Sequence, residues 1–235
     1  MKYTKAFVSL LLVTITVTLR AQAPSSQPPA SNRQDFEVRD VTALDAMLRL
    51  GQAYGQPLGI ISADKKIANM RLSLRTPEST ARQAIEALLK QIPGYDWTEE
   101  RGVFVMRPRA LPPSTKRMLG IVIPRIAAEN ISLDALNFRL WMEIQLQVDP
   151  ERKSKGFMGF GHDPSELGRF DLKDVTVEDV LDEIVRRRGN SAWVALPPPD
   201  SLKGVPPERL WNYVTYSTPA RPLDQLCCLH MEYFQ

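Results

Sequence analysis

The stretch Phe36-Glu37-Val38-Arg39-Asp40-Val41-Thr42-Ala43-Leu44-Asp45-Ala46-Met47-Leu48 changes its hydrophobic period halfway along. Phe36 and Val38 alternate with polar neighbours, the two-residue rhythm of a half-buried strand. From Leu44 the rhythm lengthens. Leu44, Met47, Leu48 and Gly51 share one face of a helix, and Thr42 stands where its hydroxyl can cap the first turn. A strand feeding directly into a helix opens a small α+β unit. Beyond it, Leu58-Gly59-Ile60-Ile61 reads as a short buried strand, and Met70, Leu72 and Leu74 alternate again. Thr76-Pro77 offers an N-cap and a proline tolerated at the first helical position. Ala81, Ala84, Ile85, Leu88 and Leu89 then follow at helical spacing, and Pro93-Gly94 ends that helix. Tyr95 to Thr98 and Val103 to Arg107 form a hairpin around Glu99-Glu100-Arg101-Gly102. The order predicted for 34–109 is β-α-β-β-α-β-β.

A second stretch, 118–199, repeats much of this in divergent form. Leu133-Asp134-Ala135-Leu136-Asn137-Phe138-Arg139-Leu140 echoes Leu44 to Leu50 with one residue inserted, and Ser132 stands ready to cap. Phe170-Asp171-Leu172-Lys173 alternates as a strand. Thr176-Val177-Glu178-Asp179 opens a helix with Val177, Val180, Leu181, Ile184 and Val185 on one face. Gly189-Asn190 closes it, and Ala192 to Leu196 is another strand; Trp141 and Trp193 fall at core positions. The expected fold class is α+β: two tandem small β-α-β-β-α-β-type units, each a short sheet covered by two helices.

Prolines divide the rest. A flexible leader spans 24–33, a Pro-rich linker 110–117, and a C-terminal extension 200–235. The first 23 residues read as a signal peptide. Lys2 and Lys5 precede an uncharged, mostly apolar run from Ala6 to Leu19, and Ala21-Gln22-Ala23 supplies the cleavage pattern. As a helix that run would span roughly 21 Å, short of a hydrocarbon core of roughly 30 Å, so no stable membrane span is expected after cleavage. The chain has 30 Lys+Arg against 27 Asp+Glu, and Lys2, Lys5 and Arg20 account for the whole excess. The remainder is neutral, which speaks against a nucleic-acid partner.

The residues from Phe36 to Leu48 resemble the opening of the secretin and TonB short N-terminal domain family. Leu58 to Ile61, Leu72-Ser73-Leu74, Ala84-Ile85-Glu86-Ala87-Leu88-Leu89 and Val103-Phe104-Val105-Met106-Arg107-Pro108 continue the likeness over about 75 residues. Phe170 to Leu181 resembles the second half of the same unit. These are packing positions without a chemical signature. The resemblance implies a small sheet covered by two helices, a periplasmic location, and contacts with cell-envelope proteins, such as a secretin or TonB-dependent system. It brings no catalytic residue. Three departures stand out: no barrel or pore domain follows, Asp149 to Gly168 is longer than its counterpart Ser62 to Asn69, and prolines replace the final hairpin strand after Leu196. Pore formation and iron-uptake signalling are therefore not carried over.

Candidate contact residues lie outside this framework. In Gly156-Phe157-Met158-Gly159-Phe160-Gly161-His162-Asp163 the glycines lack the Gly-Lys-Ser/Thr of a phosphate loop. Phe157, Met158 and Phe160 either tuck back onto the sheet or meet a partner. Trp211, Tyr213 and Tyr216 alternate along Leu210 to Tyr216, a strand that adds to a sheet edge, its own or a partner's. Leu223, Leu226, Cys227, His230 and Met231 have the spacing of a short amphipathic helix that docks on the second unit or on another protein. Neighbouring Cys227 and Cys228 build no internal framework; they are either semi-buried apolar groups or the source of an intermolecular disulfide. Arg186-Arg187-Arg188 complements a helix C-terminus. With two histidines 68 residues apart, no catalytic, metal or cofactor-binding residue is expected. The leading expectation is a non-enzymatic, exported, periplasmic interaction module, peripheral to the outer membrane. The alternative is an exported small-ligand binder or enzyme using the Gly156 to Asp163 loop, which requires a pocket where His162 converges with Asp163 or Glu166.

Overall fold

The computed structural model describes residues 33–62, 64–148, 167–196 and 213–217. The chain runs β1 (Gln34–Thr42), α1 (Ala43–Tyr54), β2 (Leu58–Ile61), α2 (Lys65–Ala68), β3 (Arg71–Ser79), α3 (Ala81–Leu89), β4 (Tyr95–Glu100) and β5 (Val103–Pro108). It continues through α4 (Pro113–Leu119), β6 (Val122–Ile131), α5 (Leu133–Val148), β7 (Gly168–Thr176), α6 (Val177–Arg188), β8 (Ser191–Ala195) and β9 (Tyr213–Ser217). The α+β class is as expected.

The strands of the two stretches, however, meet in one sheet rather than in separate ones. Its order is β4-β5-β2-β8-β9, with β5, β2 and β8 parallel and the two outer strands antiparallel to their neighbours. Every residue of β2 and β8 is buried, as is every residue of β5 but Arg107. Parallel strands covered on both faces read as unbroken apolar runs, which is how Leu58 to Ile61 and Ala192 to Ala195 appear in the sequence.

Pleating sorts these side chains into two cores. Leu58, Ile60, Phe104, Met106, Ala192 and Val194 pack with α1, α3 and the β1–β3 ribbon. Ile61, Val103, Val105, Trp193 and Ala195 pack with α4, α5, α6 and the β6–β7 ribbon. The layers are ribbon, helices, sheet, helices, ribbon. A two-faced apolar strand such as β2 needs cover on both sides, and 34–109 supplies helices for one face only. The second stretch supplies the other face and the strand β8 beside β2. Gly59 lets the layers close, because a Cβ there would stand 2.5 Å from the Trp193 ring.

Among the described residues, the four long helices α1, α3, α5 and α6 begin through the same local device. A residue at φ near +50° lies two positions before a Ser or Thr that caps the helix. The pairs are Asp40 with Thr42, Glu78 with Thr80, Asn130 with Ser132, and Asp174 with Thr176. The left-handed residue turns the strand out of its ribbon; the hydroxyl then accepts an orphan helix N–H. Asp and Asn tolerate this backbone better than most residues, and Glu78 is the exception. Phe36 to Thr42 and Phe170 to Thr176 use it with matching sequence, F-x-[VL]-[RK]-D-V-T, and both phenylalanines are buried.

Several local readings need correction. Thr80, not Thr76, caps α3, in a reciprocal capping box with Gln83. Thr76 and Pro77 remain in β3, where the Thr76 hydroxyl donates to the Phe36 carbonyl at 3.5 Å. The proline-marked stretch 110–117 holds most of α4, with Pro113 at its start and Met118 and Leu119 buried. Strand β6 carries no two-residue alternation to read: Pro124 stands within it, and its buried Ile123 and Ile126 are three apart, a helix-like interval. Despite the prolines after Leu196, β8 has an antiparallel neighbour in β9. Trp193 is fully buried, whereas Trp141 is half-buried and stacks on Phe138 with ring centroids 6.2 Å apart.

Candidate functional site

Two features of this architecture bear on function: the edges of the shared sheet, and the charged seam where α6 of the second half meets the hairpin of the first. At one edge, β4 pairs only with β5 among the described residues. Its hairpin turns on Arg101 at φ 52° and Gly102 at φ 82°, the two left-handed residues of a type I′ turn. Tyr95 is buried, its hydroxyl donating to the Ile61 carbonyl at 2.9 Å, and Trp97 packs on Phe104 with centroids 5.6 Å apart. Asp96, Thr98, Glu99 and Glu100 are exposed, so this edge is acidic. Charged side chains on an edge strand discourage indiscriminate pairing.

At the other edge, β9 pairs with β8 in continuous register from Ser191↔Ser217 to Ala195↔Tyr213. Of the two destinations open to the aromatic strand, its own sheet is the one observed. Its sequence, Tyr213-Val214-Thr215-Tyr216-Ser217, carries no charge. Half-buried Thr215 accepts a hydrogen bond from Asn137 Nδ2 of α5 at 3.4 Å.

The seam concentrates the titratable groups. Asp182 of α6 is 9% exposed, and the Trp193 indole Nε1–H donates to its Oδ1 at 2.7 Å. Burial pushes this carboxyl up to about 7; the Trp193 hydrogen bond opposes the shift, while nearby Glu178, Glu100 and Asp179 add to it. One turn earlier, burial also raises Glu178, with Arg107 opposing and Glu100 and Asp179 reinforcing. Arg107 Nη2 lies 3.0 Å from Glu178 Oε1. Arg101 Nη1 lies 3.2 Å from Asp179 Oδ1. Burial would raise Asp179 too, but hydrogen bonds from the Thr176 backbone and hydroxyl, with Arg101 nearby, outweigh it and hold the carboxyl low. Both arginines belong to the first half and both acids to the second, so this charge pairing spans the two halves.

The arginine run at the end of α6 is occupied within the fold. Arg186 and Arg187 both pair with Glu183, whose carboxyl they hold low against the opposing effect of burial. Arg187 also lies 4.1 Å from the Phe170 ring centroid. The Arg188 side chain is 8% exposed and meets Asp134 of α5 at 2.7 Å. These contacts support the helix-terminus reading.

Of the candidate contact residues, Tyr213 and Tyr216 fall within the described residues, in β9 opposite Ala195 and Ala192. Phe157, Met158, Phe160 and Trp211 lie outside them, as do Ala21, Ala23, His162, Asp163, Glu166, Cys227, Cys228 and His230. The seam went unremarked in the sequence, although a signal was there. Glu178 and Asp182 are four apart, on the ridge beside the apolar stripe of α6, so they face the same neighbour. Among the described residues no cluster of three His, Cys, Asp or Glu could hold a metal ion, and no helix is long and apolar enough to cross a membrane. An open depression between β3 and α3, lined by Arg33, Arg75, Glu78, Gln83, Glu86 and Lys90, mixes cations with carboxylates. Comparison of the chain with protein-family models and with curated proteins gives no match.

Proposed function

We propose that this protein is a non-catalytic, exported module for protein–protein contact in the periplasm, peripheral to the outer membrane and associated with a secretin- or transporter-type assembly. The observation that carries the reading is the form of the shared sheet. Its three central strands are buried on both faces, so its edges are where a neighbouring protein can meet it through backbone hydrogen bonds. The signal pattern of Lys2, Lys5, Ala21 and Ala23 supports export, and the neutrality of the remainder supports contacts made by shape and backbone. The resemblance of 34–109 to the secretin and TonB short N-terminal domain supports the choice of assembly.

Photo-crosslinking in intact cells tests this directly. A crosslinker at Thr98 on the β4 edge should capture an outer-membrane protein, whereas one at Lys116 on the solvent side of α4 should not. Recovery of the chain in the cytoplasm with its first 23 residues intact, or no envelope adduct at Thr98, would overturn the reading.

A further inference from the structure

Asp182 is an unusual component of the layer it occupies. The other α6 residues buried with it are Val177, Val180, Leu181, Ile184 and Val185, all apolar. Its carboxylate meets the shared sheet through the Trp193 indole, itself fully buried on β8. The groups around it are unevenly charged. From α6 come Glu178 and Asp179, and from β4 comes Glu100. The compensating cations go elsewhere: Arg107 of β5 pairs with Glu178, and Arg101 of the hairpin pairs with Asp179. Of the remaining elements packed on α6, α5 presents Asp134, which Arg188 engages, and α4 carries Lys116 and Arg117, both exposed. Arg139 of α5 is exposed and Glu143 half-buried, strands β2 and β8 contribute no charged residue, and Arg169, Asp171, Lys173 and Asp174 of β7 are exposed. Among the described residues, an ionised Asp182 thus has one neutral donor, three carboxylates nearby, and no ion pair of its own.

We infer that Asp182 is a proton-operated latch, holding α6 against the shared sheet in its neutral form and loosening that layer when it ionises. The latch acts across the seam, since β2 and β5 of the first half lie in the same sheet that α6 covers. The direction follows from linkage. With α6 lifted, Asp182 is solvated and titrates as an ordinary carboxylate, near 3.8. With α6 docked, it holds its proton up to about 7. Below both values the docked form has its full advantage. That advantage falls as pH rises through the window between them, by up to about tenfold in the opening equilibrium per pH unit, and is constant above. The titration needs no partner protein, so it can be measured on the full chain alone.

Amide hydrogen exchange of the full chain between pH 5 and pH 8, corrected for the intrinsic exchange rate, reads the latch. Opening of α6 and β8 should rise up to about tenfold per pH unit towards pH 7 and then level off, while α1 and α3 on the opposite face respond less. Asp182→Asn keeps an acceptor for the indole and removes the proton, so its α6 opening should vary markedly less with pH, leaving only the smaller contribution of Glu178. Carboxyl-carbon NMR of the unmodified chain provides a second measurement independent of the variant's folding. An Asp182 titration in the ordinary carboxylate range would overturn the inference. Identical pH profiles for the wild-type and Asn chains would overturn it too.

Discussion

The two faces of the central sheet are built to one plan and filled differently. Each carries a pair of helices entered through a left-handed residue and a capping hydroxyl, and each is closed by a two-stranded ribbon. On the first face the polar groups inside the apolar core are tyrosine hydroxyls: Tyr54 shares a 2.6 Å hydrogen bond with Ser79, and Tyr95 donates to a backbone carbonyl. The second buries an indole, a carboxylate and a guanidinium: Trp193, Asp182 and Arg188. A repeated scaffold therefore constrains where helices start and which way strands face, but not the chemistry of the packed surface. The polar face ties its stability to pH.

Substitutions can push this contrast until it fails. The largest effect is expected from Trp193→Ala, which empties the centre of the second core and leaves Asp182 without its donor. A cost of about 3–5 kcal/mol is expected from the cavity alone. Urea unfolding of the variant beside Phe104→Ala, its large aromatic counterpart on the first face, measures whether the second face is the more sensitive.

Next comes the pH dependence of global stability. The folded Asp182 holds its proton to about 7, above its unfolded value near 3.8, so its contribution is complete at low pH and is lost as pH rises between the two. The loss amounts to about 2–4 kcal/mol. Denaturant melts at pH 5 and pH 8 should show it in the native chain, and the difference should shrink in Asp182→Asn. An undiminished difference would put the dependence on another group.

Packing clearance compares the faces more finely. Gly59→Ala drives a Cβ to within 2.5 Å of the rigid Trp193 ring and should cost about 1–3 kcal/mol. Gly51→Ala meets both Cδ1 at 2.4 Å and Cγ at 2.6 Å of fully buried Leu58, so a cost of similar size is expected on the first face. Parallel thermal melts of the two variants test that comparison. The smallest effects belong to the shared device itself. Thr42→Ala and Thr176→Ala should each cost about 1 kcal/mol. Thr176 should be the dearer of the pair, because its hydroxyl also binds Asp179, the partner of Arg101.

The sequence made the elements legible where one period or one turn decided them. The strand-to-helix switch at Thr42 and the helical spacing from Ala81 to Leu89 could be read directly. So could the alternation of Phe170 with Leu172 and the presence of a hairpin around Glu99 to Gly102, although Glu99 and Glu100 pair in the ladder and the turn itself is only Arg101-Gly102. Partner choice between strands was not legible. Leu58 to Ile61 announces a buried strand, but nothing in those four residues says that β8 lies beside it. The start of α3 was misjudged because Thr76-Pro77 and Thr80-Ala81 both satisfy the capping rule, and only the reciprocal bond with Gln83 separates them. The seam stayed hidden for a similar reason. Glu178 and Asp182 look like the solvated side of an amphipathic helix until Trp193 and Arg107 arrive from distant strands.

The parallel pairing of β2 with β8 also has a consequence in time. Leu58 and Ala192 are neighbours across the ladder, yet roughly 130 positions separate them along the chain, so this contact closes one of the longest loops in the fold. A chain emerging from its N-terminus completes β2 long before β8 exists. Until then Gly59 and Ile61 present an uncovered apolar face and an unsatisfied backbone edge. The first half alone cannot cover that face or pair that edge; the second half supplies both, across one of the largest sequence separations in the fold.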